Sequence, residues 1–122
     1  MNRLSVALGI PCGAIMAASG AAHMLVGWPQ LRASLARAQT PPDLLTGIAI
    51  AWHFGGVAMC TFGCLVVLVF IEVAQKQPAS SLPAWIIALV YIVFGSGALF
   101  ITGKPFFLIF VVPGGVLAAA LW

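Results

Sequence analysis

Acidic side chains are nearly missing from this sequence: Asp43 and Glu72 are the only two in 122 residues. Paired-carboxylate acid–base chemistry needs two acids at one site. Here they stand at opposite ends of one apolar run. Bases are scarce as well (Arg3, Arg32, Arg37, Lys76 and Lys104), so charged residues make up 6% of the chain, against about 25% in a typical soluble domain. That little charge cannot clothe a water-facing surface. Nor do five scattered bases form the clustered patch that nucleic-acid binding requires, so nucleic acid is excluded as a partner. The three cysteines, Cys12, Cys60 and Cys64, are odd in number, contain no CxxC, and all fall in apolar runs. A secreted disulfide framework is excluded on that pattern.

What the chain has instead is apolar length. Hydrophobic residues make up 63% of it, and its charges divide it cleanly. Arg3 and Arg32 bound 28 uncharged residues, Asp43 and Glu72 another 28, Lys76 and Lys104 a further 27, and 18 more follow Lys104. A bilayer core about 30 Å thick needs roughly 20 apolar residues of helix. The expected fold is therefore an all-α integral membrane protein: a four-helix, up-down-up-down transmembrane bundle forming one domain over residues 1–122. Its spans are expected near residues 4–26, 43–74, 82–102 and 105–121. The first run follows a basic MNR and precedes an Ala/Gly stretch, as in a signal peptide. It is longer than the usual 7–15-residue apolar region of a leader, so it reads as a span.

Residues 27–43, GWPQLRASLARAQTPPD, form the one polar connection of any length. Pro29 suits a helix start, and Leu31 and Leu35 share a face. With Arg32 and Arg37 reaching headgroups, residues 29–38 are expected to form a short interfacial helix. Asp43 suits the first turn of the second span, where the helix dipole favours an acid. Bases on the two sides of the bilayer number three against two, so the positive-inside rule barely sets an orientation, with a lean toward a cytoplasmic 27–43 connection.

Small residues supply the packing logic. Gly9 and Gly13 form a GxxxG pair, Gly13 and Gly20 are seven apart, and Gly56 and Gly63 repeat likewise on the second span. Such residues let helices approach closely where the hydrophobic effect gives no help. They mark helix packing inside the bundle or against a second copy.

An ionisable residue at membrane depth points to function by default. His23 near the end of span one and His53 inside span two fall at similar depth, joined there by Trp28, Trp52 and Lys104. These five define the expected ligand-binding end of the bundle. The bland alternative is that each histidine is simply satisfied by a helix-to-helix hydrogen bond. The sharper ones are a quinone headgroup contact, or haem b held between two imidazoles across an apolar slot. Cys60 and Cys64 are four apart on one helix with Cys12 near them in depth; a soft-metal site is one reading of this set and small-residue packing, the favoured one, is the other. No nucleophile has a base beside it.

In size and span count the chain is similar to the small multidrug resistance transporters. Those rely on a membrane-embedded glutamate in the first span, and residues 4–26 here contain no acid. The resemblance thus implies architecture alone and disfavours proton-coupled antiport. The reading that results is a non-catalytic accessory subunit of a larger membrane complex, or a homo-oligomer, with a ligand site at the His23/His53 end. Its Ala/Gly-rich composition suits a bacterial inner membrane. A redox subunit holding haem b or a quinone is the second expectation, and a small transporter or channel lined by Ser19, Thr46, Thr61 and Ser96 is the third.

Overall fold

A computed structural model describes residues 3–122, and every secondary-structure element among them is a helix. The order is α1 (Arg3–Ala22), a wide π-turn (His23–Gly27), α2 (Trp28–Arg37), α3 (Pro42–Ala74), α4 (Leu82–Thr102), a 3₁₀ turn (Pro105–Phe107) and α5 (Leu108–Leu121). Three stretches are long and apolar enough to cross a bilayer: Arg3–Arg37, Pro42–Ala74 and Leu82–Thr102. The fourth apolar run, Pro105–Leu121, is shorter, at roughly 27 Å including its 3₁₀ turn.

The backbone does not break between residues 22 and 28. Ala22, Gly27 and Trp28 all have right-handed helical φ/ψ, so α1, the π-turn and α2 form one rod. The helix expected over 29–38 is thus the continuation of the first span, not a separate element. Pro29 explains the wide turn. It has no N–H to offer the carbonyl of Leu25, four residues back, and its ring crowds that oxygen. Widening one turn relieves the clash without ending the helix. The breaks that do occur use left-handed residues. Gly103 (φ 65°) ends α4 and returns its N–H to the Leu99 carbonyl at 2.8 Å. Gln39 (φ 54°) and Lys76 (φ 57°) close α2 and α3.

Two antiparallel pairs make up the molecule. In the α1–α3 pair the backbones touch: a Cβ on Gly20 would lie 2.6 Å from the Gly56 carbonyl, and one on Gly13 would lie 2.8 Å from that of Gly63. A Cβ on Gly63 would strike the backbone of Ala17, one on Gly9 the ring of Phe70, and one on Gly56 the side chain of Met24. The α4–α5 pair uses Gly95 against Val111, and Gly114 against the Ala88 carbonyl at 3.0 Å. Helix α1 also meets α5, where the Cys12 thiol donates to the Pro113 carbonyl at 3.3 Å.

The core occupies one end only. Cys12 and Met16 of α1, Val66 and Phe70 of α3, Ala84 to Tyr91 of α4 and Leu117 to Leu121 of α5 supply the buried apolar side chains. The π-turn and α2 bury none. The helices are therefore closed together at the Arg3 end and spread apart at the His23 end.

Candidate ligand cleft

At the spread end, α3 presents Trp52 and His53 to the first rod from adjacent positions, and each meets a different partner. The Trp52 indole N–H donates to the His23 carbonyl at 2.8 Å. Its ring lies parallel to the His23 imidazole, centroids 3.9 Å apart and planes 11° apart. A π-turn disturbs the regular i→i−4 pairing of carbonyls, and the indole gives one of them a partner from another helix. His53 instead meets the edge of Trp28 at 5.3 Å. Its Nδ1 is 2.7 Å from the Ala49 carbonyl. A carbonyl only accepts, so Nδ1 is the donor in this contact.

Two cavities meet at the stacked pair. One, of about 450 Å³, lies between α3 and α4, and residues from Ile48 to Phe62 line its α3 wall. The other, of about 720 Å³, lies between the first rod and α5, and residues from Ser19 to Ser34 line its wall on the rod. His23, Trp52, Met59, Phe94 and Phe110 border both, so the two are compartments of one cleft separating the helix pairs. The walls are aromatic and aliphatic, and Phe94 stands edge-on to Phe110 at 5.1 Å. Apolar walls with a few placed polar groups are the usual make-up of a small-molecule site.

Of the five residues expected at a ligand site, His23 and Trp52 form the cleft wall. Trp28 and His53 line neither compartment, and the exposed Lys104 also stands outside the lining. The two imidazoles thus do not flank one slot, which removes the geometry that bis-histidine haem needs. Met59, Phe94 and Phe110 were not singled out from sequence. Matching their depth to that of His23 across antiparallel helices is the signal that finds them. Tyr91, the chain's one tyrosine, is 4% exposed and lines the α3–α4 compartment, and its hydroxyl has no hydrogen-bond partner among the described residues.

Two of the three cysteines tie helices together. Cys12 donates to α5, and Cys60 donates to the Ala17 carbonyl at 3.3 Å, tying α3 to α1. Cys64, one turn further on, is exposed. No group of three His, Cys, Asp or Glu among the described residues is placed to hold a metal ion. The hydroxyls of Ser19, Thr46 and Thr61 return to carbonyls four residues back on their own helices. No protein-family model, curated protein or solved structure matches the chain.

Proposed function

We propose that the chain is an integral membrane protein, a four-helix up-down-up-down bundle, that binds an elongated apolar small molecule in the cleft between its helix pairs. It does no chemistry of its own. It acts as an accessory subunit or homo-oligomer in a bilayer such as the bacterial inner membrane. The observation that carries this reading is the shared wall of His23, Trp52, Met59, Phe94 and Phe110, where two apolar compartments join between tightly packed helix pairs. In a bilayer the first rod's Arg32 and Arg37 would sit at the headgroups, with the cleft opening below them between the helices.

Native mass spectrometry of the gently extracted protein tests the reading. The wild type should retain an apolar adduct, and Met59→Trp, which fills the junction of the compartments, should lose it. A bare wild-type mass, or equal retention in both proteins, overturns it. One second reading has an observation in its favour. His23 places an imidazole in the cleft wall, as a subunit holding a quinone headgroup would require. Extraction should then yield about one quinone per protein from the wild type and none from His23→Leu. Haem b is not supported, because His53 lies with Trp28 outside the cleft. Oxidised and dithionite-reduced spectra should show no Soret band.

A further inference from the structure

The larger compartment is graded in polarity. Deep inside it are Met59, Phe94 and Phe110; at its outer end are Gln30 and Ser34, four residues apart on one face of α2. Ser34 is held in place on two sides. Its hydroxyl donates to the Gln30 carbonyl at 3.1 Å and accepts from the Arg37 guanidinium at 3.3 Å. Arg37 therefore stands at the rim of the compartment and not merely on the same helix. Across the opening, Phe106 and Phe107 form the opposite wall, and Lys104 is two residues before the first of them. The bases Arg32, Arg37 and Lys104 all belong to this end of the molecule, with Asp43 the one acid. The rim is cationic and hydrogen-bonding, and the interior is apolar.

From this we infer that the cleft takes an anionic amphiphile: its phosphate or carboxylate sits at the Gln30 side-chain amide and at the Arg37 guanidinium, which Ser34 positions by accepting from it, and one hydrocarbon chain runs inward past His23 and Trp52. The inference rests on the cleft being a ligand site and adds the class of ligand. Dimensions agree with it. The first rod's wall of the larger compartment, from Ser19 to Ser34, covers about 22 Å of helix. A chain crossing one leaflet spans roughly half of a 30 Å core. Arginine suits the rim because its planar fork of donors matches carboxylate and phosphate oxygens, and a charge-assisted bond there is stronger than a neutral one.

Trp52 is a natural reporter, since it borders both compartments. The full chain carrying Trp28→Phe, Trp85→Phe and Trp122→Phe is reconstituted in phosphatidylcholine vesicles. Its fluorescence is then titrated with chain-brominated phosphatidylglycerol, dibromostearate or chain-brominated phosphatidylcholine. An anionic probe should quench Trp52 at lower mole fraction than the zwitterionic one. Arg37→Ala should weaken that preference roughly tenfold. Arg32→Ala, which removes the same charge outside the cleft lining, should leave it intact. The two anionic arms separate a phospholipid from a free acid. Equal quenching by anionic and zwitterionic probes, or equal losses in the two arginine variants, overturns the headgroup assignment while leaving the cleft standing. Absence of quenching by any probe removes the cleft reading as well. Mass spectrometry of lipids copurified with the unsubstituted chain provides the same comparison should the three substitutions disturb folding.

Discussion

Gly63→Ala is the substitution that most directly tests how the molecule is held together. A methyl group there meets no side chain that could rotate aside: it strikes the Ala17 backbone and comes within 2.5 Å of the Gly13 carbonyl. Only separation of α1 from α3 relieves the clash. Restoring ordinary van der Waals distance moves the rods apart by about 1 Å, and a gap of that size forfeits a quarter to a half of each contact's dispersion energy. Overpacking of this kind costs about 2 kcal/mol. Gly97 supplies the reference, because a Cβ there has nothing within 4 Å. Gly97→Ala should gain up to about 1 kcal/mol from helix propensity alone. The two variants share the same chemical change, so their difference of about 3 kcal/mol isolates the packing term. Equilibrium unfolding in mixed micelles, followed by circular dichroism, measures both. A Gly63→Ala protein as stable as Gly97→Ala would refute a seam built on backbone contact. Because Gly13 and Gly63 face each other, the double alanine variant should fall short of the summed single effects.

Four further outcomes follow from particular contacts. Trp52→Phe keeps an aromatic ring beside His23 but loses the indole donor to its carbonyl, and should cost about 1 kcal/mol in the same unfolding assay; an unchanged midpoint would mean the bond does not matter. Tyr91→Phe removes a buried hydroxyl without a partner, and should be neutral or stabilising by up to about 1 kcal/mol. A clear loss there would reveal a partner the hydroxyl does have. N-ethylmaleimide should modify Cys64 first, Cys60 more slowly and Cys12 only on unfolding, read as successive mass increments; early loss of Cys12 would contradict the closed end. Pro29→Ala restores an N–H to the first rod and should let the π-turn relax toward α-helix, turning His23 off Trp52. A shift in Trp52 emission in the single-tryptophan background reports this, and an identical spectrum would place the cause of the wide turn elsewhere.

How far the sequence could be read depended on which signal was physical and local. The intervals between charges are long enough to hold apolar helices of bilayer length, so they revealed the long helices directly. Gly13, Gly20, Gly56 and Gly63 were visible because a seven-residue spacing keeps small residues on one face. Pro29 suits a helix start, yet it sits inside a continuous rod, since widening one turn accommodates its ring without ending the helix. The orientation of His53 was not legible either. In an amphipathic helix the polar face marks the outside, but α3 is apolar nearly all round, so no face of it is marked as outside. Periodicity put His23 and His53 at one depth without saying that His23 stacks on Trp52 at the cleft while His53 meets Trp28 outside its lining. Gly114 and the depth-matched Phe94 and Phe110 went unnoticed for the same reason: each acquires meaning only when the pairing of α4 with α5 is known.

The cleft exists because the two ends of the bundle are filled with side chains of different size. At the Arg3 end, helices meet through Ala84, Ala88, Ala120 and Cys12, with Phe70 slotted over Gly9. Small groups there let four rods converge. One level up, the same rods carry Trp52, Phe62, Phe94 and Phe110, which are too large to interdigitate around a common axis and so prop the pairs apart. The α1–α3 pair cannot yield to close the gap, since its glycines already bring backbone against backbone. The α4–α5 pair is locked in the same way by Gly95 and Gly114. Each pair is rigid within itself, and the space lies between the pairs. A cavity bounded by rigid pairs persists without a ligand, so an occupant does not have to supply the energy of opening it. Collapse would require replacing the wedge residues themselves. Phe94→Ala and Phe110→Ala together should draw the pairs inward, and a mass adduct retained by the wild type should be lost even though the volume of the side chains has been reduced. A larger or unchanged occupancy in that double variant would mean that the aromatics merely line the space and do not hold it open.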